Sequence, residues 1–268
     1  MNAKLLLVGC GKMGGAMLDG WLKAGTVERV VVVEPNGLPE GLANPAVTLA
    51  AGPDALPAGF VPDVVVLAVK PQAMDGVLPG YAALVGPQTV FLSIAAGKTI
   101  DYFHTHLGGA AAIVRAMPNT PAAVGRGITV AIPNAAVTAA QRDLCEALLR
   151  AVGEVAWADA ESQMDAVTAV SGSGPAYVFH LVEALAAAGE AAGLPAELAQ
   201  RLARATVSGS GELLHQSPAP AAQLREAVTS PGGTTRAALD VLMAPDGLTG
   251  LMTRAVAAAA KRSKELAQ

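Results

Sequence analysis

The chain has 268 residues, 52% of them hydrophobic and 15% charged, with a net charge of −4. That length allows one large core or two moderate ones, and the weakly acidic balance, relieved only by the short run Lys261-Arg262-Ser263-Lys264, gives no footprint for nucleic acid or an anionic membrane. Two cysteines, Cys10 and Cys145, are too few for a disulfide framework, no charged start leads into a long apolar stretch, and no apolar run approaches the roughly 20 residues of a membrane helix, so a cytoplasmic protein is expected.

Lys4 to Val8 is a short apolar run that reads as a strand. Gly9-Cys10-Gly11-Lys12-Met13-Gly14 follows at once and leads into an amphipathic segment, Ala16 to Leu22. In the pattern GxGxxG between strand and helix, the first glycine permits the tight turn. The second lets a pyrophosphate approach the backbone, and the third lets the helix pack closely on the strand. A second strand, Arg29 to Val33, ends in Glu34, 20 positions after Gly14, which is the spacing of a dinucleotide-binding fold. The segment from Asn36 to Pro62 is rich in Pro, Gly and Ala and offers at most a short helix.

Further strands are expected at Val64 to Ala68, Thr89 to Ser93, Ala112 to Met117 and Ile128 to Ile132. Alternation with helical segments predicts a parallel sheet covered on both faces. Lys70 stands at the C-terminal end of an apolar strand, where open α/β sheets bind ligands, although a solvated strand-end lysine has the same pattern. Asn119, between Pro118 and Pro121, reads as an Asx turn bonded to its own backbone. After Asp159 the Val-rich runs disappear and helical spacing continues to the terminus. Runs from Ala176 to Ala192 and from Ala196 to Leu214, with Pro175 near the first start and the break Gly193-Leu194-Pro195 between them, predict two long helices, and others should follow Thr235 and Leu248. The expected fold is α/β, with a Rossmann-type parallel-sheet domain over 1–159 followed by an all-α domain over 160–268.

The most informative stretch is Val228-Thr229-Ser230-Pro231-Gly232-Gly233-Thr234-Thr235-Arg236-Ala237-Ala238-Leu239. Pro231 and the glycine pair demand a turn, and Thr234-Thr235 read as cap residues opening an apolar helix. Such an entrance presents unpaired amides and the positive end of the helix dipole to a small carboxylate, with the Ser230 and Thr235 hydroxyls beside it. An ordinary capped helix after a tight turn has the same local signature.

With both ends in view, the chain resembles the pyrroline-5-carboxylate reductase family over nearly its whole length. The resemblance rests on Gly9 to Gly14, Val66-Leu67-Ala68-Val69-Lys70-Pro71-Gln72, Ser93-Ile94-Ala95-Ala96-Gly97, Arg115-Ala116-Met117-Pro118-Asn119-Thr120-Pro121, Val170-Ser171-Gly172-Ser173-Gly174-Pro175-Ala176-Tyr177, and Val228 to Leu239. It implies hydride transfer from NAD(P)H to a cyclic imine to give L-proline, in an enzyme that self-associates through its helical domain. By the same resemblance, amides around Gly233, Thr234 and Thr235 hold the substrate carboxylate, with Ser230 beside them. The Thr235 hydroxyl faces the ring nitrogen, and Glu161 falls near an acidic position lining the site. Gly9, Gly11, Lys12, Met13 and Gly14 receive the pyrophosphate. Ala68, Val69, Lys70 and Pro71 lie beside a ribose, and Ser93, Ala95 and Gly97 reach toward the nicotinamide.

If the imine arrives protonated, no strong general acid is required, which suits a segment from Val228 to Leu239 without His, Cys or Lys. Most relatives prefer NADPH, yet Glu34 can accept hydrogen bonds from ribose hydroxyls and would repel a 2′-phosphate, and no Lys or Arg lies between Arg29 and Lys70. NADH preference or dual use is therefore expected, with the reach of Lys12 a mild counterweight.

Other features carry less. His104 and His106 lack a surrounding ligand cluster, so no metal is expected. His180 and His215 read as helix-face residues. Cys10 reads as a small apolar filler despite its place in the glycine loop, and Ser171-Gly172-Ser173-Gly174 as a shaper of the domain junction. Two rivals stay open: a non-catalytic nicotinamide-binding sensor or scaffold, and a 3-hydroxyacid dehydrogenase. The latter is weakened because it needs a lysine in the helical half, and none occurs from Glu161 to Ala260.

Overall fold

The computed structural model describes residues 3–266. In chain order the elements begin β1 (Lys4–Val8), α1 (Lys12–Ala24), β2 (Arg29–Val33), β3 (Val47–Ala50), β4 (Val64–Leu67), α2 (Met74–Val77) and β5 (Val90–Ser93). Then come α3 (Ile100–Leu107), β6 (Ala112–Met117), β7 (Gly127–Pro133), α4 (Ala139–Arg150), β8 (Gly153–Trp157) and α5 (Met164–Val167), the last continued by a π-helical turn, Thr168–Gly172. The remaining helices are α6 (Gly174–Ala191), α7 (Ala196–Gln216), α8 (Ala221–Ala227), α9 (Thr234–Leu242) and α10 (Leu248–Leu266).

The chain divides into two compact units. One runs from the N-terminal strand to Gly172 and takes in the chain from Ala260 onward, and the other is Ser173–Ala259. Residues 160–172, grouped with the helical half by composition, lie with the sheet.

The sheet unit holds eight strands in the order β3-β2-β1-β4-β5-β6-β7-β8, with β6 and β7 antiparallel and every other neighbouring pair parallel. Side chains of a strand alternate between faces, so two separate cores form. Leu5, Leu7, Val64, Val66 and Leu92 pack on one face with Met17, Leu18 and Trp21 of α1 and Leu148 and Leu149 of α4. Leu6, Val8, Val65, Leu67 and Phe91 pack on the other with Met74, Leu78, Tyr81 and Phe103. Each fully buried Val, Leu or Phe contributes about 1.5–3 kcal/mol, which explains near-continuous apolar strands. The indole of Trp21 donates to Leu148 O at 2.8 Å, fixing α1 against α4.

Two expectations need correction, and one strand was not foreseen. The segment from Asn36 to Pro62 contains no helix beyond a single 3₁₀ turn at Pro53–Ala55 and instead supplies the edge strand β3. Strand β8 carried too weak a signal to be expected: only its alternate residues are half-buried, as befits an edge. The Asn119 side chain does not bond its own turn, although its backbone carbonyl accepts from Ala122 N. Its Oδ1 accepts from Ile128 N at 2.9 Å, and its Nδ2 donates to Ser171 O at 3.2 Å, inside the π turn.

The helical unit pairs α6 with α7 at close range. A Cβ added at Gly189 would lie 3.2 Å from the Ala199 Cβ, so the small residue lets the backbones approach. Its interior is thin: in the single chain Ala186, Ala199 and Ala203 are its buried apolar residues, while Phe179 is 64% and Leu213 66% exposed.

Candidate active site

Strand β1 ends at Val8, and the chain turns sharply at Gly9, whose φ of 91° is open to glycine and strained for other residues. A Cβ there would also sit 2.9 Å from Ala68 O. One at Gly14 would run into Gly9 O, whereas Gly11 has open space around it. The first and third glycines thus close the turn and seat α1 on the sheet, and the second leaves room for an anion at the start of α1. No side chain caps that helix, so its first-turn amides are available to a ligand.

A cavity of about 750 Å³ opens beside this loop, lined among others by Gly9, Gly11, Glu34, Ala68, Val69 and Lys70. The structure therefore gathers residues from three strand ends around one space, as a dinucleotide requires. Lys12 lines an adjoining concavity of about 620 Å³ with Gly11, and Met13 packs half-buried against the core. Pro71 begins a 3₁₀ turn after Lys70. Ser93 ends β5 and Ala95 and Gly97 follow it in the loop, outside the lining of that cavity. Ser93 Oγ accepts from Ala95 N at 3.3 Å, and Gly97 turns with φ 76°.

Glu34 is held by the loop it faces. Its Oε2 accepts from Cys10 N at 2.9 Å, and its Oε1 accepts from both Asn36 N and Asn36 Nδ2 at 3.1 Å. Burial pulls its carboxyl upward, but the three hydrogen bonds outweigh that and leave it below the ordinary glutamate value. Cys10 beside it is buried, and burial first, then the Glu34 charge, pushes its thiol up to about 11.

Two contacts tie the loops after β4 and β5 together. Asp75 of α2 accepts from the Tyr102 hydroxyl and from Lys98 Nζ at 3.4 Å, and Lys98 sits 3.9 Å over the Tyr102 ring. The Tyr102 hydrogen bond, followed by Lys98, holds the Asp75 carboxyl below its usual range.

Glu161 also belongs to the sheet unit. Its Oε1 accepts from Arg115 Nη1 at 2.7 Å and from Ile100 N, at the start of α3, at 2.9 Å. Arg115 was not singled out from the sequence, although a charge inside the apolar strand Ala112–Met117 demands a partner.

In the helical unit, Gly233 is the N-cap of α9 and no side chain caps the helix, so Thr234 and Thr235 are its first residues rather than its caps. Gly232 turns with φ 69°. Gly233 N donates to Ser230 O at 3.1 Å, which leaves the amides of Thr234 and Thr235, rather than that of Gly233, open at the helix start. A Cβ at Gly233 would collide with Ser230 Oγ. Ser230 and Thr234 are exposed and Thr235 is half-buried. Among the described residues no group of three or more His, Cys, Asp or Glu could hold a metal ion.

Two family models match this chain. Residues 161–266 match one described as pyrroline-5-carboxylate reductase dimerisation, and residues 4–97 match one described as NADP oxidoreductase coenzyme F420-dependent. The pyrroline-5-carboxylate reductase of Mycobacterium leprae is 41% identical over 286 aligned positions, covering 98% of this chain and 97% of that one. The chain belongs to the pyrroline-5-carboxylate reductase family. Among solved structures of this family, the enzyme from Coxiella burnetii superposes with a TM-score of 0.90 at 34% identity, covering 100% of both chains. The pyrroline carboxylate reductase of Plasmodium falciparum with NADP bound gives 0.82 at 30% identity, covering 100% of this chain and 99% of that one. Among the described residues no helix is long and apolar enough to cross a membrane.

Proposed function

We propose that this chain reduces pyrroline-5-carboxylate to L-proline with NAD(P)H. Full-length kinship supports the family reaction. The observation that carries it to particular atoms is the uncapped entrance of α9, where the first amides are open and the Ser230 and Thr235 hydroxyls stand close in sequence. A carboxylate fits such an entrance by dipole and donor count.

The dihydronicotinamide, when bound, supplies a hydride to the imine carbon. The chain's own residues do the positioning. The amides of Thr234 and Thr235, in the turn built by Ser230 and Gly233, hold the substrate carboxylate, and the Thr235 hydroxyl meets the ring nitrogen as hydrogen-bond partner or proton donor. A substrate arriving as the iminium needs no stronger acid, and holding two reactants in register in a dry site supplies several orders of magnitude in rate. Glu161, which pairs with Arg115 and the start of α3, is the acidic residue that the family resemblance assigns to the substrate.

On the cofactor side, Gly9, Gly11 and Gly14 with Lys12 and Met13 seat the pyrophosphate, Ala68, Val69, Lys70 and Pro71 border a ribose, and Ser93, Ala95 and Gly97 border the nicotinamide. The ionised Glu34 favours unphosphorylated ribose, so NADH is preferred or both cofactors are used. Self-association runs through Ser173–Ala259, whose apolar residues a single chain leaves uncovered.

The test is the initial rate of pyrroline-5-carboxylate-dependent oxidation of NADH and of NADPH, side by side. Turnover with NADH favoured is expected. Turnover favouring NADPH removes the Glu34 reading and keeps the reaction, and no turnover with either removes the reaction.

A further inference from the structure

A carboxylate offers about four acceptor positions, and three at Glu34 are already occupied by protein donors. Cys10 N holds Oε2 from the glycine loop. Asn36 holds Oε1 twice, through its backbone N–H and its side-chain amide, and that side chain is the only removable member of the set, because the other two donors are backbone. Asn36 and Glu34 line the same cavity as Gly9 and Gly11. Asn36 is itself exposed, so no packing demand explains an asparagine there.

We infer that Asn36 is a positioning residue for cofactor choice: its side-chain amide latches the Glu34 carboxylate in place and thereby makes the site discriminate against a 2′-phosphorylated ribose. This rests on the reading of Glu34 given above. A phosphate next to Glu34 has two ways to relieve like-charge repulsion: the carboxylate swings aside or it takes up a proton. Both are opposed by the same hydrogen bonds, since swinging breaks them and protonation weakens them. The direction of the Glu34 shift, downward despite burial, agrees with donors that favour the charged form. The latch acts on NADH in the opposite sense, because a carboxylate already fixed loses little freedom when a ribose hydroxyl takes its remaining acceptor position. Loss of the amide therefore moves the two affinities toward each other.

The test is the dissociation constant of NADH and of NADPH for the full-length protein, measured by calorimetry without imine substrate, in wild type, Asn36→Ala, Asn36→Ser and Glu34→Ala. KM for each cofactor and melting temperatures of the free proteins accompany it. Wild type is expected to bind NADH more tightly. Asn36→Ala should cut the ratio of NADPH to NADH dissociation constants about tenfold, with only the small drop in melting temperature that one exposed hydrogen bond accounts for. Asn36→Ser, which keeps a donor, should restore at least half of the lost ratio on a logarithmic scale. Wild-type NADH preference that collapses in Glu34→Ala but stays intact in Asn36→Ala overturns the latch and leaves Glu34 as the selector. A wild-type preference for NADPH, unmoved by Glu34→Ala, overturns the underlying reading and the latch with it.

Discussion

Arg115 Nη1 lies 2.7 Å from Glu161 Oε1, an ion pair whose cationic partner is 6% exposed and whose carboxylate is 30% exposed. The same oxygen accepts the Ile100 amide, so one carboxylate joins strand β6 to the start of α3. Removing Glu161 leaves a buried guanidinium without its anion. Glu161→Ala should destabilise the protein by about 2–3 kcal/mol in urea unfolding, at or below the low end for buried pairs because the carboxylate is partly hydrated. Glu161→Gln keeps an acceptor for Ile100 and should lose less. If Glu161 works through this scaffold, KM for pyrroline-5-carboxylate stays within about twofold in Glu161→Gln. A KM rise of tenfold or more without loss of stability would show direct contact with substrate instead.

Thr235 offers a hydroxyl where the ring nitrogen is proposed to sit. Thr235→Ala should lower kcat about 100-fold, the low end for a single lost donor at a reacting centre, with cofactor affinity unchanged. Thr235→Ser should recover most of it. Equal activity of the alanine variant would remove Thr235 from the chemistry.

Acid should weaken the sheet unit in a defined window. The Glu34 carboxyl lies below its ordinary value of 4.5 when folded, and Asp75 and Glu146 are shifted the same way. A depressed folded value means stability present above the unfolded value and lost as pH falls through the folded one. The melting temperatures of wild type and of Glu34→Gln should therefore differ at pH 7 and converge below about pH 4.5. Parallel curves down to pH 3 would contradict the shift.

Cys10 sits in a loop proposed to touch the cofactor, yet its thiol is buried, and burial followed by the Glu34 charge raises it to about 11. Cys145 is raised to about 12 by burial. Thiolate is the reactive form, and at pH 8 only about one Cys10 in a thousand would carry it. Iodoacetamide should leave both cysteines unmodified in the native protein and label both in urea, as read by mass spectrometry. Rapid native labelling of Cys10 would mean that the glycine loop opens.

Phe179 on α6 is 64% exposed in the single chain. If the helical unit is the self-association surface, Phe179→Asp should convert dimers or larger assemblies to monomers in light scattering, while the sheet unit keeps its fold. An unchanged mass would place the interface elsewhere.

The sequence exposed the sheet because each central strand is a Val-rich run buried on both faces, and it exposed the glycine loop because Gly9, Gly14 and Glu34 keep a spacing that backbone geometry dictates. The edge strands β3 and β8 escaped because one face of each meets solvent, which thins the apolar signal. Asn119 was misread for a related reason: local pattern pointed to its own turn, whereas its amide serves Ile128 and Ser171, 9 and 52 residues away. The pair Arg115–Glu161 was likewise out of reach, since a hydrogen bond between residues 46 apart leaves no periodicity, and Asn36, bonded two residues back to Glu34, looks like any loop asparagine. The α9 entrance was legible as a turn and a helix start. Which residue caps it, and which amide is already taken, depended on φ angles at Gly232 and Gly233.

Helix α10 begins in one unit and finishes in the other, where Ser263 Oγ donates to Asp165 Oδ1 at 2.8 Å. The helical unit is in this respect an insert rather than an appendix: the polypeptide leaves the dinucleotide-binding unit at Gly172 and comes home near Ala260. A truncation at residue 172, the obvious route to a free-standing cofactor module, would discard a segment that the module owns. A graft joining residue 172 to residue 260 through a linker would keep it, and so would a circular permutant opened inside the insert.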